Sequence, residues 1–334
     1  MTFPSEHDPP QSPTGDNEPS STKPKGEDLL YSVLGDKYLL ESILQEGNMG
    51  SVFMANRIAD GEVVVVKTIP REGSPFFERF KREAEGLLKF NHPNIVQVLD
   101  FEFSPGKQPY IVLEYVDGVT LKAFLADFPK GVSLPFFFNI FQQLCDVLTV
   151  IHERGIIHRD FKPANIMLRE TEEGYRVKVL DFGLILFARK YFPEAELRLT
   201  QRGAFLGTPT YMSPEQCQGN EVTFRTDLYN LGLTAYEMLA GHPPFEGNDL
   251  REMLMLQINR MPKPLNKLRA DLPPALARAV QTALAKTPQN RFSSCWEFWH
   301  ALAGESRGAS LSAENIDQAI EAWADALTED DPID

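Results

Sequence analysis

The sequence predicts an α+β fold of two lobes, a small β-rich lobe with one helix followed by a larger α-helical lobe. From Tyr38 to about Leu113 the chain consists mostly of short segments rich in β-branched and aromatic residues and bounded by turn residues. After Gly118, long apolar segments with helical spacing replace them. A β-rich half followed by a helix-rich half therefore indicates two lobes, at about 38–113 and 118–303.

Five strands are expected in the first lobe, because five short segments rich in β-forming residues follow one another. In order they read YLLESIL, SVFMANR, EVVVVKTI, IVQVLDFEF and PYIVLEYV. The residues Ala59, Asp60 and Gly61, between the second and third segments, are typical of a hairpin turn. One helix is expected within the series, over SPFFERFKREAEGLLKF, because its apolar residues recur at helical spacing.

The second lobe is expected to be mostly helical. Three segments carry long apolar patterns of helical period: LPFFFNIFQQLCDVLTVIHERG, DLYNLGLTAYEMLAG and LPPALARAVQTALAK. Short extended pieces are expected around residues 165–181.

Both ends of the chain are predicted to lie outside the folded domain, 38–303. Residues 1–27 are rich in Pro, Ser, Gly and charge. They can bury too little apolar surface to offset the entropy of ordering, so a disordered acidic tail is expected. Residues 304–334 are expected to form an acidic tail with a short amphipathic helix, because four apolar residues fall at i, i+4, i+7 and i+11: Ile316, Ile320, Trp323 and Leu327.

Charge and cysteine content exclude several classes of protein. The formal net charge of the 334-residue chain is −14, but most of it lies in the two tails, so the central body is nearly neutral. A nucleic-acid-binding protein would need a basic face. The three cysteines are far apart and show neither metal-ligand spacing nor a disulfide framework. With no signal-peptide pattern and no apparent apolar stretch of about 18 residues, we expect no membrane span and a cytoplasmic location.

Candidate catalytic residues lie in two segments. The segment GIIHRDFKPANIM holds Asp160, Lys162 and Asn165, and the strand-like RVKVLDFGL places Asp181 at the end of its expected strand. Phosphoryl transfer needs cations that neutralise phosphate charge and a carboxylate that orients the attacking hydroxyl. Asn165 and Asp181 suit Mg²⁺, which prefers oxygen ligands. Asp160 suits the hydroxyl, and Lys162 can neutralise charge on the transferred group.

Two further features are ambiguous when taken alone. Lys67 ends a run of valines, where an unpaired buried ammonium would be costly, and Glu83 on the expected helix is a natural partner. A solvated lysine and a solvated glutamate would give the same pattern. The stretch LQEGNMGSVFMA, with Gly47 and Gly50, suits either a phosphate-binding loop or a plain hairpin turn.

Together these segments resemble the bacterial eukaryotic-like serine/threonine protein kinase family, over roughly 38–303 and in the family's order. HRDFKPAN resembles the catalytic loop, DFG the magnesium segment and VVVVK the strand with the ATP lysine. SPE, DLYNLG and AKTPQNRF resemble later family segments, with Arg291 expected to pair with Glu215. The resemblance implies a protein-kinase-like fold with an N-lobe and a C-lobe, the substrate ATP, Mg²⁺, and protein substrates that carry Ser or Thr.

The resemblance also assigns roles to individual residues. Asp160 would orient the substrate hydroxyl, Lys162 would contact the transferred phosphate, and Asn165 and Asp181 would bind Mg²⁺. Leu113 would be the gatekeeper beside the adenine, and an apolar regulatory column would comprise Leu87, Val98, His158 and Phe182. The residues implied for ATP binding are Leu44, Gly47, Gly50, Val52, Val65, Lys67, Glu83, Glu114, Val116, Asp117 and Met167.

Regulation and acceptor type are also implied by the resemblance. Lys162 and the segment GTPTYMSPE match the Ser/Thr branch, in which Thr210 would bridge Asp160 and Lys162. Arg159 would receive a phosphothreonine of the activation segment, for which Thr200 is the expected site.

Two residues depart from the family pattern. Gln45 replaces the first glycine of the glycine-rich loop, from which we expect only a modest effect on nucleotide affinity. Asn230 stands where serine or alanine is usual. An active Ser/Thr kinase is the favoured hypothesis, and a non-catalytic kinase-fold scaffold or a small-molecule phosphotransferase is the alternative. The sequence reveals neither the physiological substrate nor the upstream signal nor the oligomeric state.

Overall fold

The computed structural model describes residues 26–47, 50–68, 91–103, 107–172, 174–180 and 209–303. The first lobe is built on a six-stranded sheet with the order β1-β2-β3-β4-β6-β5. All neighbouring strands in it are antiparallel. The strands are β1 (Val33–Leu34), β2 (Tyr38–Gly47), β3 (Gly50–Arg57), β4 (Val63–Thr68), β5 (Val98–Glu102) and β6 (Tyr110–Glu114).

Alternation along β3 and β4 separates two faces of this sheet. Phe53, Ala55, Val64 and Val66 are fully buried and belong to the apolar core of the first lobe. The residues between them in sequence are only partly buried, because successive side chains of a strand point to opposite faces. The sheet therefore buries one face in the core and leaves the other face partly accessible.

The second lobe packs around one central helix. Helix α5 (Phe224–Ala240) is buried at every position from Thr226 to Ala240. The described part of this lobe contains the helices α2 (Leu121–Leu125), α3 (Leu134–Glu153), α4 (Pro214–Gln218), α5, α6 (Leu250–Asn259), α7 (Pro274–Ala283) and α8 (Cys295–Leu302). A three-stranded sheet joins β7 (Val119–Thr120), β8 (Ile166–Thr171) and β9 (Gly174–Val179) in that order.

The expected two-lobed α+β arrangement is confirmed, and the five predicted strands correspond to β2 to β6. The hairpin turn between β3 and β4 is present, with Gly61 at a φ of +76°. Helix α5 begins three residues before the predicted segment, because the Thr223 side chain caps its first turn. The helix expected over residues 74–90 lies outside the described residues.

The predicted N-terminal tail extends too far into the ordered chain. Gly26–Leu29 forms a short helix, α1, and Gly26 is buried. A Cβ atom at Gly26 would lie 2.3 Å from Glu46 Oε1 and 2.7 Å from Ser51 Oγ, so this turn of chain packs closely against the β2–β3 hairpin. Residues 1–25 and the expected C-terminal tail, 304–334, lie outside the described residues.

One described helix meets the length and composition of a membrane span. This helix is α3, so the expectation that no such stretch exists is wrong on those two criteria. More than half of its apolar window is buried inside the protein. Its buried face packs against α5 and α8, as expected for the core helix of the second lobe.

Candidate active site

The segment between α3 and β8 brings three predicted residues together. Lys162 Nζ donates to both carboxylate oxygens of Asp160, at 2.9 Å to Oδ1 and 2.7 Å to Oδ2. Asn165 Nδ2 donates to Asp160 Oδ2 and to its main-chain oxygen, each at 2.9 Å. A 3₁₀ turn over Pro163–Asn165 brings the carboxamide back to the aspartate. An acid, an ammonium group and a carboxamide therefore meet at one point.

A buried carboxylate beneath this segment holds its backbone. Asp227, in the first turn of α5, is fully buried and accepts hydrogen bonds from the amides of His158 and Arg159, at 2.8 and 2.7 Å. It also contacts His152 Nε2 at 2.8 Å. Arg159 has a φ of +67°, which is uncommon for a residue other than glycine. These hydrogen bonds stabilise the unusual backbone conformation immediately before Asp160.

The carbonyl of Arg159 is held from the other side by the start of α4. Gln216 Nε2 donates to Arg159 O at 2.7 Å. Gln216 itself is fixed by a capping box with Ser213, in which each side chain bonds the other residue's backbone. The peptide leading into Asp160 is therefore held by two elements of the second lobe.

Glu215 and Arg291 form a buried ion pair, as the sequence led us to expect. Two parallel hydrogen bonds, of 2.7 and 2.8 Å, join the guanidinium to the carboxylate, and the Thr226 hydroxyl donates to the same carboxylate at 2.7 Å. Burial alone would raise the pKa of Glu215, but the hydrogen bonds and charge of Arg291 outweigh it and lower the pKa. The pair joins the start of α4 to the segment before α8.

The β2–β3 hairpin carries the glycine pair. Gly47 lies opposite Gly50 in the register, and Gly50 has a φ of +114°, which L-residues with a side chain rarely adopt. Gln45 lies opposite Val52 and its side chain is exposed. The two residues at the tip, 48–49, lie outside the described residues. The Gln45 side chain, which replaces the family's first glycine, therefore points to solvent from β2.

The sheet face opposite the first-lobe core holds predicted nucleotide-binding residues. Val52 pairs with Lys67 across β3 and β4, and Val65 lies two residues before Lys67, so the three side chains share that face. Leu44, on β2, is about half exposed. Met167 lies on β8, in the second lobe.

The segment that joins the lobes follows β6 and contains Val116 and Asp117. Glu114, the last residue of β6, accepts hydrogen bonds from the Gln97 amide at 2.8 Å and from Lys178 Nζ at 2.5 Å. Lys178 belongs to β9, the strand that leads towards residue 181. This carboxylate therefore ties the joining segment to both lobes.

Comparison with known proteins decides the family. The model of the protein kinase domain matches residues 38–302. The chain belongs to the protein kinase family. The ion pair at the start of α4, the aspartate beneath the catalytic loop and the glycine-bearing hairpin are thus features of a kinase domain.

Named relatives of this kinase domain are bacterial. The chain is 38% identical over 290 residues to the serine/threonine-protein kinase PknB of Mycolicibacterium smegmatis, covering 85% of this chain and 45% of the relative. It is 35% identical over 282 residues to the serine/threonine-protein kinase Pkn1 of Myxococcus xanthus, covering 83% and 39%. The chain thus spans less than half the length of these relatives.

A solved kinase domain has the same fold. The crystal structure of the Mycobacterium tuberculosis PknI kinase domain is 28% identical in sequence and superposes with a TM-score of 0.61. The match covers 83% of this chain and 99% of that domain. The two-lobed architecture is therefore shared along nearly the whole PknI domain.

Several predicted residues of the kinase site lie outside the described residues: Glu83, Leu87, Asp181, Phe182 and Thr200. The Lys67–Glu83 pair, the second magnesium ligand and the regulatory threonine stay predictions. Of the expected regulatory column, Val98 and His158 are both buried.

The predicted bridge by Thr210 is absent from the described part of this kinase. Lys162 and Asp160 bond each other directly, and no hydrogen bond joins the Thr210 hydroxyl to either within the described residues. Instead, the Thr210 carbonyl accepts from Gln257 on α6. Gln257 is held in place by contacts distant in sequence, which is why it was missed.

Sequence reasoning also missed Gln216, Lys178 and His152. For Gln216 a signal was present, because Ser213 followed three residues later by glutamine is a capping-box pattern. Lys178 and His152 contact partners more than 60 residues away, so no local pattern indicates their contacts.

Proposed function

We propose that this chain is an ATP-dependent serine/threonine protein kinase, which transfers the γ-phosphoryl group of Mg-ATP to Ser or Thr hydroxyls of protein substrates. The observation that carries the proposal is the arrangement around Asp160, whose carboxylate is held by Lys162 and Asn165. The relatives that bear the name serine/threonine-protein kinase, and Lys162 itself, support Ser and Thr as the acceptors.

Within the described part of the chain, the hydrogen bonds leave one acceptor site on Asp160 for a substrate hydroxyl. Each carboxylate oxygen offers about two lone-pair sites. Among the described residues, Oδ2 accepts from both Lys162 and Asn165, whereas Oδ1 accepts from Lys162 alone. The Asp160 side chain is 26% exposed, so its carboxylate can be reached from solvent. We infer that the acceptor hydroxyl donates to Oδ1, which orients its oxygen for attack.

Asn165 fits a role at magnesium. Its Nδ2 is used by Asp160, while its Oδ1 makes no hydrogen bond within the described residues, which leaves a neutral oxygen ligand of the kind Mg²⁺ accepts. Asn165 and Asp181 would hold the ion, which when bound neutralises charge on the phosphates. Lys162 would add a positive charge at the transferred group, and Lys67 would contact the α- and β-phosphates.

Regulation and location are part of the proposal. Thr200 would become phosphorylated by the enzyme itself, and its phosphate would pair with Arg159, next to Asp160. The domain would work in the cytoplasm, where ATP is available, on protein rather than nucleic-acid substrates. Phosphopeptide mapping and the kinetics of Thr200→Ala test the switch; an unmodified Thr200 and a fully active variant would show that it lies elsewhere.

Incubation with Mg²⁺ and ATP followed by intact-mass measurement tests the activity. Stepwise gains of about 80 Da, one per phosphate, are expected for the wild-type chain. The variant Asp160→Asn should gain none, because the loss of the acceptor carboxylate lowers the transfer rate by roughly 10²–10⁴-fold. It should bind ATP as the wild type does in calorimetry. A wild-type chain that binds ATP but never gains mass would instead be a non-catalytic scaffold.

A further inference from the structure

Two buried carboxamides donate to three consecutive carbonyls of one short turn. The turn is the 3₁₀ segment Pro209–Tyr211, which precedes α4. Gln257 Nε2, on α6, donates to Thr210 O at 2.5 Å and makes a longer contact with Pro209 O at 3.4 Å. Asn230 Nδ2, on α5, donates to Tyr211 O at 2.5 Å. Both carboxamide side chains belong to fully buried residues.

The orientation of Gln257 is fixed by a chain of donors. Lys286 Nζ donates to the Tyr229 hydroxyl at 3.0 Å and to the main-chain oxygen of Gln257 at 2.7 Å. Tyr229 in turn donates to Gln257 Oε1 at 2.8 Å. Because a lysine ammonium can only donate, the Tyr229 hydroxyl accepts from Lys286 and donates its own proton to Gln257 Oε1. The Nε2 group of Gln257 must therefore face the turn.

Asn230 is not explained by stability. Its Oδ1 is buried and has no partner within the described residues, which costs free energy. The serine or alanine that is usual at this position in the family would avoid that cost. What Asn230 supplies is the hydrogen bond from Nδ2 to the Tyr211 carbonyl, with a longer contact of 3.5 Å from Nδ2 to Gln216 Oε1 in the cap of α4. The benefit of the residue is therefore the position of the turn.

The turn is also joined to the catalytic loop. The Tyr211 hydroxyl donates to Glu237 at 2.5 Å, inside the second lobe. Two residues further on, Ser213 caps α4, and Gln216 of that cap holds the Arg159 carbonyl next to Asp160. A displacement of the turn would therefore change the placement of a substrate relative to Asp160.

We propose that Asn230 and Gln257 are positioning residues for the protein substrate, acting through the carbonyls of Pro209–Tyr211. The inference rests on the proposed kinase function and on the link from this turn, through Ser213 and Gln216, to the Arg159 carbonyl beside Asp160. With its carbonyls bonded to the interior, the turn presents a fixed surface to the residues that flank the acceptor hydroxyl. Neither carboxamide contacts the predicted ATP-binding residues in the described structure, so nucleotide binding is independent of them.

Hydrogen–deuterium exchange tests the hydrogen bonds without requiring activity. In Asn230→Ala and in Gln257→Met the amides of residues 210–213 should exchange about three- to tenfold faster than in the wild type, the factor expected for the loss of one hydrogen bond. The matched control is Thr234→Val. It removes the buried hydrogen bond from the Thr234 hydroxyl to the main-chain oxygen of Asn230 and leaves the contacts of Pro209–Tyr211 in place. Its exchange at 210–213 should equal that of the wild type.

Steady-state kinetics tests the consequence for substrate. With myelin basic protein as the probe, both variants should raise the KM for protein by about three- to tenfold and leave the KM for ATP within twofold. Asn230→Ala should melt close to the wild type, since the removal of an unpaired buried oxygen offsets the loss of the hydrogen bond to Tyr211. A Ser/Thr-centred degenerate peptide library should show weaker selection at the positions that flank the acceptor.

The outcomes separate the two proposals. If the wild-type chain transfers no phosphate, the proposed function fails, while the exchange data still decide whether the carboxamides hold the turn. Unchanged exchange, or an unchanged KM for protein, overturns the positioning role. Parallel losses in melting temperature, KM for ATP and KM for protein also overturn it, because they indicate general damage. If Gln257→Met does not fold, Gln257→Glu replaces it, since it keeps the acceptor for Tyr229 and loses the donor to the turn.

Discussion

At the scale of the residue, Lys286 is a half-buried cation in the second lobe. Its ammonium group lies 4.5 Å from the centre of the Phe245 ring and donates to Tyr229 and to the Gln257 carbonyl. Burial, followed by the nearby charge of Arg291, lowers its pKa to about 8. A lysine in this state makes the stability of the fold depend on pH near neutrality.

The pH dependence has a definite sign. Between about pH 8 and the ordinary lysine range, the folded protein loses the proton of Lys286 while the unfolded chain keeps it. Because the unfolded state then binds more protons, this residue makes stability rise with pH over that range.

The variant Lys286→Met should remove this contribution. From pH 7.5 to pH 9.5, the melting temperature of the wild type should rise relative to that of the variant by roughly 2–4 °C, after allowance for the partial exposure of Lys286. Thermal melts at both pH values measure it, and the comparison cancels the ionisation of cysteines and tyrosines. A pH-independent difference would contradict the lowered pKa.

At the scale of the element, helix caps explain which helices the sequence could have predicted. Three unpredicted helices follow a capping residue with glutamate or glutamine three positions later: Ser213 before α4, Asp249 before α6 and Ser294 before α8. Their apolar patterns are short, so periodicity alone did not find them, whereas the cap residues carry enough signal. The strands β2 to β4 were predictable because each is a short segment rich in β-forming residues and bounded by turn residues.

The ion pair that fixes the start of α4 should be costly to break. In Glu215→Gln the buried guanidinium of Arg291 loses its counter-charge, which costs about 3–5 kcal/mol, or roughly 10 °C in melting temperature. The double variant Glu215→Gln/Arg291→Met should be less destabilised than the sum of the single changes. Calorimetry of the four proteins gives the coupling.

The matched control for this pair is Asp60→Asn, which breaks the exposed pair with Arg57 and should leave the melting temperature nearly unchanged. Because the pKa of Glu215 is lowered, its contribution is present above the ordinary glutamate range and is lost as the pH falls through the folded pKa. Equal losses of melting temperature in Glu215→Gln and Asp60→Asn would contradict a buried Glu215–Arg291 pair.

The β2–β3 hairpin should tolerate change at Gln45 but not at Gly50. Gln45→Gly adds backbone freedom worth about 0.5–1 kcal/mol at an exposed strand position, so the KM for ATP should change by less than about fivefold. Gly50→Val places a β-branched residue at a φ of +114° and should raise the KM for ATP far more. The reverse order of effects would show that the first glycine position binds phosphate directly.

At the scale of the whole molecule, the sequence predicted which side chains meet at Asp160 better than it predicted the distant residues that hold the surrounding segments in place. Asp160, Lys162 and Asn165 lie within six residues, so one local motif carries their meeting. Gln257 meets Thr210 only because α6 packs against the turn, 47 residues away, and Lys178 meets Glu114 across 64 residues. Contacts of this kind depend on how the elements pack and have no counterpart in local sequence.

The boundary of the folded domain is a property of the whole molecule that truncation can test. Leu34 is buried in the first-lobe core, and Leu29 packs against it, although both precede the predicted domain start. Removal of residues 1–25 should leave the melting temperature unchanged. Removal of residues 1–35 should lower it by several degrees, because the burial of one leucine is worth about 1.5–3 kcal/mol. Equal melting temperatures would show that the α1–β1 segment adds nothing to the fold.

The catalytic loop is anchored from the buried helix α5, which affects how the surface of such a domain can change over evolution. Asp227 holds the amides of His158 and Arg159 from a position with no exposed surface. Mutations that reshape the exposed surface of the second lobe therefore leave this anchor untouched. Surface residues of the second lobe can therefore change over evolution while the backbone that carries Asp160 stays in place.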